Sequence, residues 1–551
     1  MCALFGKNIL EILTTGMYAK DNTIFREYIQ NAADSIRKAV QDNIYNIDED
    51  PSIDIELLCD EGNIRIIDNG YGIKKDDVER SLLDIAQSTK NEDEDMGYRG
   101  IGRLCGLAYC SKLIFRTSYP GENIETIMEW DAETLRRILD DDNVKITPEE
   151  VMDKIVTYST KPVISESHYF VVEMVGIVSG HENLLNQDLV KTYVVETAPI
   201  KFASSFHHCG KIERFAKENS FTIPCYKVTL NGKELSKNYT PTIYKSSGNA
   251  YQEHDKIVDV EFNVIKASDG ATLAWMWYGI SRFNGIIPKG NQMAGIRLRR
   301  HNIQVGDDKT IAKFFKEDRG NSYFVGEVYI VHKDLRPNNQ RDYVRDVTGP
   351  KGQKTIRVEF EESMREICNE VLTPLYREAS ALNSAYKKEN ELKRAKEEYK
   401  EIESTRGFIN SHEKDKQDEK IAKLEKEYVS KQKEIQRIEK KLDGNSPLSK
   451  VVEVVKENAT VDRKRNEQEI ASKNQIQPIK SQQSSKKDGV ESKNAPNPNK
   501  KSSPFITDQL TNMTENERRI VGIIYGVINE VVTEDKALQL IQLIQDKLKN
   551  A

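Results

Sequence analysis

This sequence lacks the patterns that mark several large classes of protein. Its seven cysteines stand at separated positions without a Cys-x-x-Cys pair, which is typical of reduced thiols and argues against a disulfide framework or a zinc site. The residues before Leu13 show no signal-peptide pattern, and no apolar run approaches the roughly 20 residues of a membrane-spanning helix. We therefore expect a cytoplasmic protein without membrane association.

Net charge is also small. The formal net charge is -6 and the isoelectric point is near 6.0, so the chain as a whole offers no attraction for a polyanion. Nucleic acid stays open as a partner, but charge does not indicate it. The Walker signature Gly-Lys-Ser/Thr is missing as well, which argues against a P-loop nucleotide site.

What the sequence does contain begins with a polar stripe on a predicted helix. Glu27, Asn31 and Asp34 fall at i, i+4 and i+7 within the segment Phe25–Ser35, whose other residues include Ile, Ala and Tyr, so their side chains share one helix face. Such a stripe faces either solvent or a cavity, and on the helix alone the solvated face is the commoner case.

A predicted hairpin follows and ends in a carboxylate. Residues 53–57 alternate like a strand, and after a turn residues 64–67 form a second strand that leads directly into Asp68. Gly70 and Gly72 come next, and glycine lets the backbone approach a flat ligand closely.

A third stretch, Gly97–Gly102, is rich in glycine and precedes an apolar segment. That segment, Leu104–Tyr109, predicts a helix whose N-terminal N–H groups would hold phosphate. Arg99 and Arg103 are candidates for phosphate or lid contacts, and a solvent-facing role is equally open.

These three stretches, in this order and spacing, resemble the ATPase family shared by Hsp90, DNA gyrase B, MutL and sensor histidine kinases. The helix and the segment Asp84–Lys90 are most similar to Hsp90, whereas Gly97–Gly100 is closer to MutL. The resemblance implies an N-terminal ATP-binding α/β sandwich of the Bergerat type, with residues 91–95 in a lid segment.

Each implied role has a chemical reason. A buried Asp68 suits the exocyclic amine of adenine, Asn31 offers a neutral oxygen to Mg²⁺, and Glu27 is placed to activate the water that attacks the γ-phosphate. The family's threonine on the far wall has no counterpart in residues 167–172. The ATP-binding set implied by the resemblance is Asn31, Asp34, Asp68, Asn69, Gly70, Gly72, Ser88, Thr89, Gly97, Arg99, Gly100, Ile101 and Gly102, with Asn31 also as the metal ligand.

A second domain is expected from residue 223 to residue 352. Its strand around Gly295–Arg300 is basic, which suits either phosphate binding or a soluble sheet edge. The stretch Asp334–Asp342 resembles the middle-domain loop of Hsp90, in which an arginine reaches the γ-phosphate, so the resemblance implies that Arg341 is the second catalytic residue. The alternative is a structural arginine that pairs with Asp342 or another acid.

Beyond residue 352 the composition becomes helical and rich in Lys and Glu. Apolar residues at heptad spacing between 421 and 442 predict a coiled coil within the region 353–444. Residues 445–505 have the polar composition of a disordered linker. Residues 506–551 predict a helical hairpin with two apolar stripes, which is too short to bury both and should pair with a second copy of the chain or with a partner.

The expected fold class is α+β. An ATP-binding domain over residues 1–222 would be followed by a transducer-like middle α/β domain and then by a C-terminal coiled coil and helical tail. The expected function is Mg²⁺-dependent ATP hydrolysis that closes a homodimeric clamp on a protein client or partner protein. The alternative is a DNA-engaging clamp similar to MutL or MORC proteins, which the Lys-rich linker and the MutL-like glycines support.

Overall fold

The computed structural model describes residues 7, 10, 20–46, 49–84, 102–164, 166–247, 250–338, 340–345, 354–405, 407–408, 411–444 and 446–474, and six positions between 524 and 544. The chain divides into two compact units, Met1–Lys473 and Asn474–Ala551. The architecture that positions the candidate site lies in the first unit, and it confirms the α+β class.

The first part of the chain folds into a large sheet flanked by helices. Its strands are β1 (Ser52–Leu58), β2 (Asn63–Asp68), β3 (Cys110–Ser118), β4 (Ile124–Asp131), β5 (Val156–Pro162), β6 (Tyr169–Ile177), β7 (Lys227–Leu230) and β8 (Lys233–Glu234). Its helices are α1 (Thr23–Gln41), α2 (Val78–Leu83), α3 (Ala132–Asp140), α4 (Pro148–Ile155) and α5 (Gln187–Thr197), with 3₁₀ helices at Lys75–Asp77, Gly102–Ala108 and Glu182–Leu185. The eight strands run in the order β5-β4-β3-β6-β2-β1-β7-β8.

The predicted hairpin and helix pack on each other. β1 and β2 are antiparallel, with Ile53 opposite Asp68, and their alternate side chains are buried. Helix α1 adds Phe25 and Ile29 to the same core. The stripe that carries Glu27 and Asp34 is buried as well, at 4% and 1% exposure, so the solvated-face alternative is wrong for these two residues.

A five-stranded sheet and a separate two-stranded ribbon follow. The ribbon is β9 (Thr242–Ser247) with β10 (Ala250–Lys256), and the sheet contains β11 (Asp259–Lys266), β12 (Thr272–Ile280), β13 (Gly295–Arg300), β14 (Ile303–Val305) and β15 (Val325–Ile330). The sheet order is β11-β12-β15-β13-β14. Trp275 and Trp277 of β12 form an aromatic core with Phe206 and with helix α6 (Cys209–Glu218).

The boundary expected between residues 222 and 223 does not coincide with the division between the two sheets. Helix α6, before that position, packs in the core of the second sheet, whereas β7 and β8, after it, extend the first sheet. β7 can do so because Val228 and Leu230 are apolar and pair in parallel with Ile53 and Ile55. The strand at Tyr226–Leu230, predicted to open a second domain, therefore belongs to the first sheet.

The basic strand β13 lies inside the second sheet rather than at its edge. Arg297 and Arg299 are buried, at 3% and 1% exposure. Arg299 pairs with Glu327 of β15, and Arg297 Nη2 lies 3.4 Å from Glu196 Oε1 at the end of α5. These two arginines are held in internal ion pairs, so neither phosphate binding nor edge protection describes them.

The last described helices pack partly against the second sheet. They are α7 (Ile356–Glu366), α8 (Thr373–Thr405), α9 (Ser411–Glu439) and α10 (Pro447–Asn474), and a π-helical segment, Ile367–Leu372, joins α7 to α8. Lys388 pairs with Glu427, and Glu398 pairs with Lys420, which shows that α8 and α9 are antiparallel. The predicted coiled-coil segment therefore pairs within the chain.

The prediction of a disordered linker from residue 445 is wrong for its first part, which forms helix α10. Val451, Val452 and Val455 are buried in the core that also contains Ile438, and Lys450 Nζ lies 2.7 Å from Asp259 Oδ2. This apolar stripe is short and lies in a polar segment, so the composition of the segment did not predict it. The rest of the predicted linker lies outside the described residues, as does the C-terminal hairpin apart from the six positions. In the described part of the chain, no helix is both long enough and apolar enough to cross a bilayer.

Candidate functional site

A cavity of about 1020 Å³ opens between helix α1 and the first sheet. Ile66, Phe115, Phe170 and Val172 contribute apolar groups to its lining. Four of the predicted ATP-binding residues line it as well: Asn31, Asp34, Asp68 and Gly72. The lining thus combines apolar groups with polar and charged side chains, and in small-molecule sites such polar groups fix the orientation of the ligand.

Asp68 ends β2 at the cavity, and glycines form the turn that follows. Its carboxylate is 4% exposed, and its Oδ1 accepts a hydrogen bond from the Gly70 N–H at 3.0 Å. Gly72 has a φ of +66°, and a Cβ there would lie 1.9 Å from the Ser118 carbonyl oxygen. Only glycine fits that position, so the turn is shaped by backbone packing as well as by any ligand.

The side chain of Asn69 turns toward the loop that precedes β1. Its Oδ1 accepts from the Ser52 N–H at 2.8 Å, and its Nδ2 donates to the Asp50 carbonyl at 2.9 Å. Asn69 is not among the described residues that line the cavity. The side chain fixes the turn, and its direct contact with nucleotide stays a prediction.

Glu27 and Arg341 meet, although more than three hundred positions separate them in the sequence. Arg341 Nε lies 2.9 Å from Glu27 Oε1, with the two side chains 14% and 5% exposed. Arg26 adds a second link, because its Nη2 donates to the Gln340 carbonyl at 3.3 Å. Asp342, the acid expected as the alternative partner of Arg341, instead accepts from the Asn338 side chain.

The loop holds Arg341 in an unusual backbone conformation. Its φ is +55°, a left-handed value that L-residues adopt only when the surroundings fix it. The Gly306 N–H donates to the Arg341 carbonyl at 2.8 Å, and the Arg341 N–H donates to the Asn338 carbonyl at 3.2 Å. The second sheet thus presents this arginine toward α1.

Several basic side chains around the cavity were missed by the sequence reasoning. Lys38, Lys74 and Arg80 line it together with Arg103. Lys38 follows Asp34 by one helical turn, so the same stripe could have revealed it. Arg103 donates to the Leu82 carbonyl at 3.3 Å and to the Asp84 carbonyl. Burial lowers the pKa of Arg103 to about 10, although Asp84 opposes that shift, so this guanidinium remains charged at neutral pH.

Comparison with known proteins shows which family the region around this cavity resembles. Residues 19–168 match the family described as histidine kinase-, DNA gyrase B-, and HSP90-like ATPase. This part of the chain is a domain similar to the Hsp90-like ATPases. The match runs from just before α1, through the β1–β2 hairpin and strands β3 to β5, to the residue before β6. It confirms the resemblance seen in the motifs.

Chaperone proteins are among the curated proteins that this chain resembles. The chaperone protein HtpG of Buchnera aphidicola (subsp. Schizaphis graminum) is 28% identical over 144 residues, which is 23% of each chain. The HtpG of Shewanella sp. W3-18-1 is 25% identical over 144 residues, again 23% of each chain. The HtpG of Francisella tularensis is 22% identical over 198 residues, 33% of this chain and 31% of the relative. The chain thus spans between a fifth and a third of the length of these relatives.

Within the ATPase domain, Tyr28 joins helix α1 to the segment that follows the glycine stretch. Its hydroxyl donates to the Arg103 carbonyl at 3.1 Å and accepts from the Gly106 N–H at 2.9 Å. The helix predicted at Leu104–Tyr109 is present as the 3₁₀ helix Gly102–Ala108. Gly102 packs against Glu27, since a Cβ on it would lie 2.5 Å from Glu27 Oε2.

The far wall of the ATPase domain has a threonine, but on a different strand from the one considered. Thr117 of β3 is 1% exposed, accepts from the Ile73 N–H at 2.8 Å and donates to the Tyr169 carbonyl at 3.0 Å. Its hydroxyl therefore supports the loop after Gly72. The other predicted site residues, Ser88, Thr89, Gly97, Arg99, Gly100 and Ile101, lie outside the described residues.

Proposed function

We propose that the cavity binds ATP and that the chain hydrolyses it to ADP and phosphate in a Mg²⁺-dependent reaction. The family match over residues 19–168 supports the nucleotide. The hydrolytic part rests on one observation, the 2.9 Å pairing of Glu27 with Arg341. This contact joins a buried carboxylate of helix α1 to a cation in the loop that follows β15.

The two ends of the cavity suit the two ends of ATP. Asp68 is a buried acceptor for the adenine amine, and Gly70 and Gly72 let the loop backbone lie close to the ring. Asn31 lines the cavity one helical turn from Glu27, at the proposed phosphate end. Lys38 and Arg103 add positive charge around the same space, which favours a polyanionic ligand.

The residues at the phosphate end also fit Mg²⁺. Asn31 and Asp34 line the cavity and carry side-chain oxygen atoms. Mg²⁺ at a nucleotide site usually takes only one or two protein oxygens, with phosphate oxygens and water completing its shell. Asn31 is the proposed ligand. When bound, the ion neutralises charge on the phosphates.

Glu27 is the proposed general base and Arg341 the proposed catalytic arginine. In the described arrangement Glu27 Oε1 lies 2.9 Å from Arg341 Nε and 3.6 Å from Arg26 Nε, so departure of Arg341 would leave the carboxylate with one cation instead of two and make it a stronger base. An arginine that moves from Glu27 to the γ-phosphate would stabilise the negative charge of the transition state and release the base in one movement. This partner exchange would tie hydrolysis to the position of the loop from the second sheet.

The test measures ATP binding by calorimetry and phosphate release with the full chain and its Arg341→Ala variant. We expect turnover to fall about 10²-fold or more, while ATP affinity changes little. Arg319→Ala is the matched control, because its side chain is 66% exposed and pairs only with Glu317 among the described residues. Native turnover by Arg341→Ala would remove the second sheet from the catalytic unit.

We further propose that the chain acts as a homodimeric clamp on a protein client. The chaperone names of the relatives support a protein client over the DNA-engaging alternative. The predicted coiled-coil segment is paired inside the chain, so dimerisation is assigned to residues 506–551. Deletion of those residues should lower the mass measured by light scattering, and a full-length monomer at micromolar concentration would contradict the clamp.

A further inference from the structure

The loop that carries Arg341 is closed at its base by backbone pairing. Pro337 and Val344 form an isolated antiparallel bridge, and the Asn338 N–H donates to the Tyr343 carbonyl at 2.8 Å. Arg341 lies between these paired positions, with its φ of +55°. The place of the arginine therefore depends on what holds the base of the loop to the rest of the chain.

The side chain of Tyr343 holds one end of this loop. It is 9% exposed and belongs to the same core as Phe314 and Phe360. The ring centroids of Tyr343 and Phe314 are 6.5 Å apart, and Phe314 packs edge-on against Phe360 at 6.4 Å. Since Tyr343 is only two residues from Arg341 in the chain, a shift of its ring moves the backbone of the arginine.

Two cations lie against the same ring. Lys313, in the 3₁₀ helix Ala312–Phe314, places its Nζ 3.0 Å from the centroid of the Tyr343 ring. Arg357 of α7 places its Cζ 5.1 Å from the same centroid. A cation within about 6 Å of an aromatic centroid is attracted by the face of the ring. Tyr343 is thus held by two elements from different parts of the chain.

The other charges beside the ring are compatible with these contacts. Glu361 Oε1 lies 3.1 Å from Arg357 Nε, and its Oε2 lies 3.3 Å from Arg365 Nη2. This carboxylate reduces the repulsion among the neighbouring cations. Burial, followed by Glu361, raises the pKa of Tyr343, so the phenol stays neutral. Its ring therefore keeps the negative face that attracts a cation.

We propose that Tyr343 is the positioning residue for Arg341 and affects hydrolysis through that arginine alone. Its ring, held by cations of two separate elements, keeps Arg341 within reach of Glu27. This inference deepens the proposed ATP hydrolysis and rests on it. Without the ring, the arginine loses its alignment with the reacting phosphate, whereas the nucleotide cavity is lined by other residues. Turnover then falls while nucleotide affinity stays the same.

The experiment measures phosphate release at saturating ATP, and ADP affinity by calorimetry, with the full chain and two variants of it. Tyr343→Leu fills apolar space but offers no ring face to the cations, whereas Tyr343→Phe retains the ring. We expect the leucine variant to lose about tenfold to 100-fold in turnover, up to the cost of a misplacement of about 1 Å, with native ADP affinity. The phenylalanine variant should retain turnover close to the native rate.

A second comparison tests whether Tyr343 acts through the arginine. In the Arg341→Ala background, Tyr343→Leu should cause no further loss of turnover, because the group that the ring positions is already absent. A general weakening of the fold would lower turnover again in that background. Tyr323→Leu is the matched control, since its ring stacks on Tyr376 of α8 with centroids 4.2 Å apart, and it should retain native turnover.

A third variant keeps the test decisive where Tyr343→Leu does not fold. Lys313→Met removes the cation from the ring face while retaining a long apolar side chain at an exposed position. It should also lower turnover, by about severalfold, and leave ADP affinity unchanged.

The outcomes separate this inference from the proposed function. A native chain that releases no phosphate from ATP would overturn the proposed hydrolysis itself. Native hydrolysis with unchanged turnover in Tyr343→Leu, or in Lys313→Met where the leucine variant does not fold, would overturn the role of Tyr343 alone. The same conclusion would follow if Tyr343→Phe lost as much turnover as Tyr343→Leu, or if the leucine substitution slowed the Arg341→Ala chain further.

Discussion

Two clusters of charged side chains lie in this chain, and they differ in the space around them. Asp34 and Asp68 border a cavity of about 1020 Å³. In the second sheet, Glu327 is fully buried and accepts from Lys237 Nζ at 2.8 Å and from Arg299 Nε. The cavity beside that cluster is about 10 Å³, which holds at most a single water. The first cluster has room for a ligand, and the second is filled by its own side chains.

The comparison shows why the role of a charged residue cannot be determined from the sequence alone. Burial raises the pKa of Glu327, but Arg299 and Lys237 outweigh it and bring the pKa down to about 2. Burial and then Arg299 lower the pKa of Lys237 to about 8, against the pull of Glu327. Shifts of this kind also occur in catalytic sites, and the absence of ligand space identifies this cluster as structural.

The largest expected effect separates turnover from binding at Glu27, which lies on the same helix as Asp34 of the first cluster. Glu27→Ala should keep ATP affinity and lose about 10²- to 10⁴-fold in turnover, the usual contribution of a general base. Phosphate release and calorimetry on the full chain measure both quantities. Turnover at the native rate would show that another group activates the water.

Substitution in the second cluster should change the stability of the fold rather than the affinity for nucleotide. Glu327→Gln leaves Lys237 and Arg299 without their shared carboxylate and should lower the free energy of unfolding by about 3–5 kcal/mol. Glu317→Gln is the control, because its side chain is 43% exposed, and it should change stability by less than about 0.5 kcal/mol. Denaturant titration measures both. Equal stability of the two variants would contradict the structural assignment of Glu327.

At the adenine end of the cavity, substitution of Asp68 should change nucleotide affinity more than it changes the stability of the fold. Asp68→Asn replaces an acceptor-only group with one that presents a donor toward the adenine amine, and ADP affinity should fall about 100-fold, the upper range for a buried unsatisfied group. Calorimetry reports the affinity, and thermal unfolding without nucleotide checks that the fold persists. Unchanged affinity in a folded variant would place the base elsewhere.

A smaller effect concerns the stability of the fold at acid pH. Because the pKa of Glu327 in the folded chain is about 2, below its ordinary value of 4.5, its stabilising contribution is complete above about pH 4.5 and is lost as pH falls toward 2. The difference in unfolding free energy between the native chain and Glu327→Gln should therefore narrow over that range. A constant difference would mean that the carboxylate does not titrate there.

Sequence reasoning located the parts of the site that depend on local periodicity. The α1 stripe and the hairpin that ends at Asp68 form as expected because their residues pattern at helical and strand spacing. Strand β7 was assigned to the wrong sheet, since its pairing with β1 joins segments far apart in the chain and no local pattern encodes it. Arg341 was located only through the resemblance, and its contact with Glu27 depends on tertiary packing.

The cationic residues around the cavity show the same limit. Lys74 and Arg80 lie in a loop and a short helix whose orientation the sequence does not determine, whereas Lys38 continues the α1 stripe and was accessible to the helical pattern. The burial of α10 was not predicted, because it depends on three valines within a polar segment. Composition is not informative over so short a stretch.

The central claim is that Arg341, in the loop after β15, and Glu27 of helix α1 act as one catalytic unit. A double-mutant cycle of ATP turnover with Glu27→Ala, Arg341→Ala and the double variant, all at saturating ATP, tests it most directly. The account predicts that each single variant loses about 10²-fold or more and that the double variant is scarcely slower than the slower single variant. Losses that multiply in the double variant, or an Arg341→Ala chain that turns over at the native rate, would contradict it.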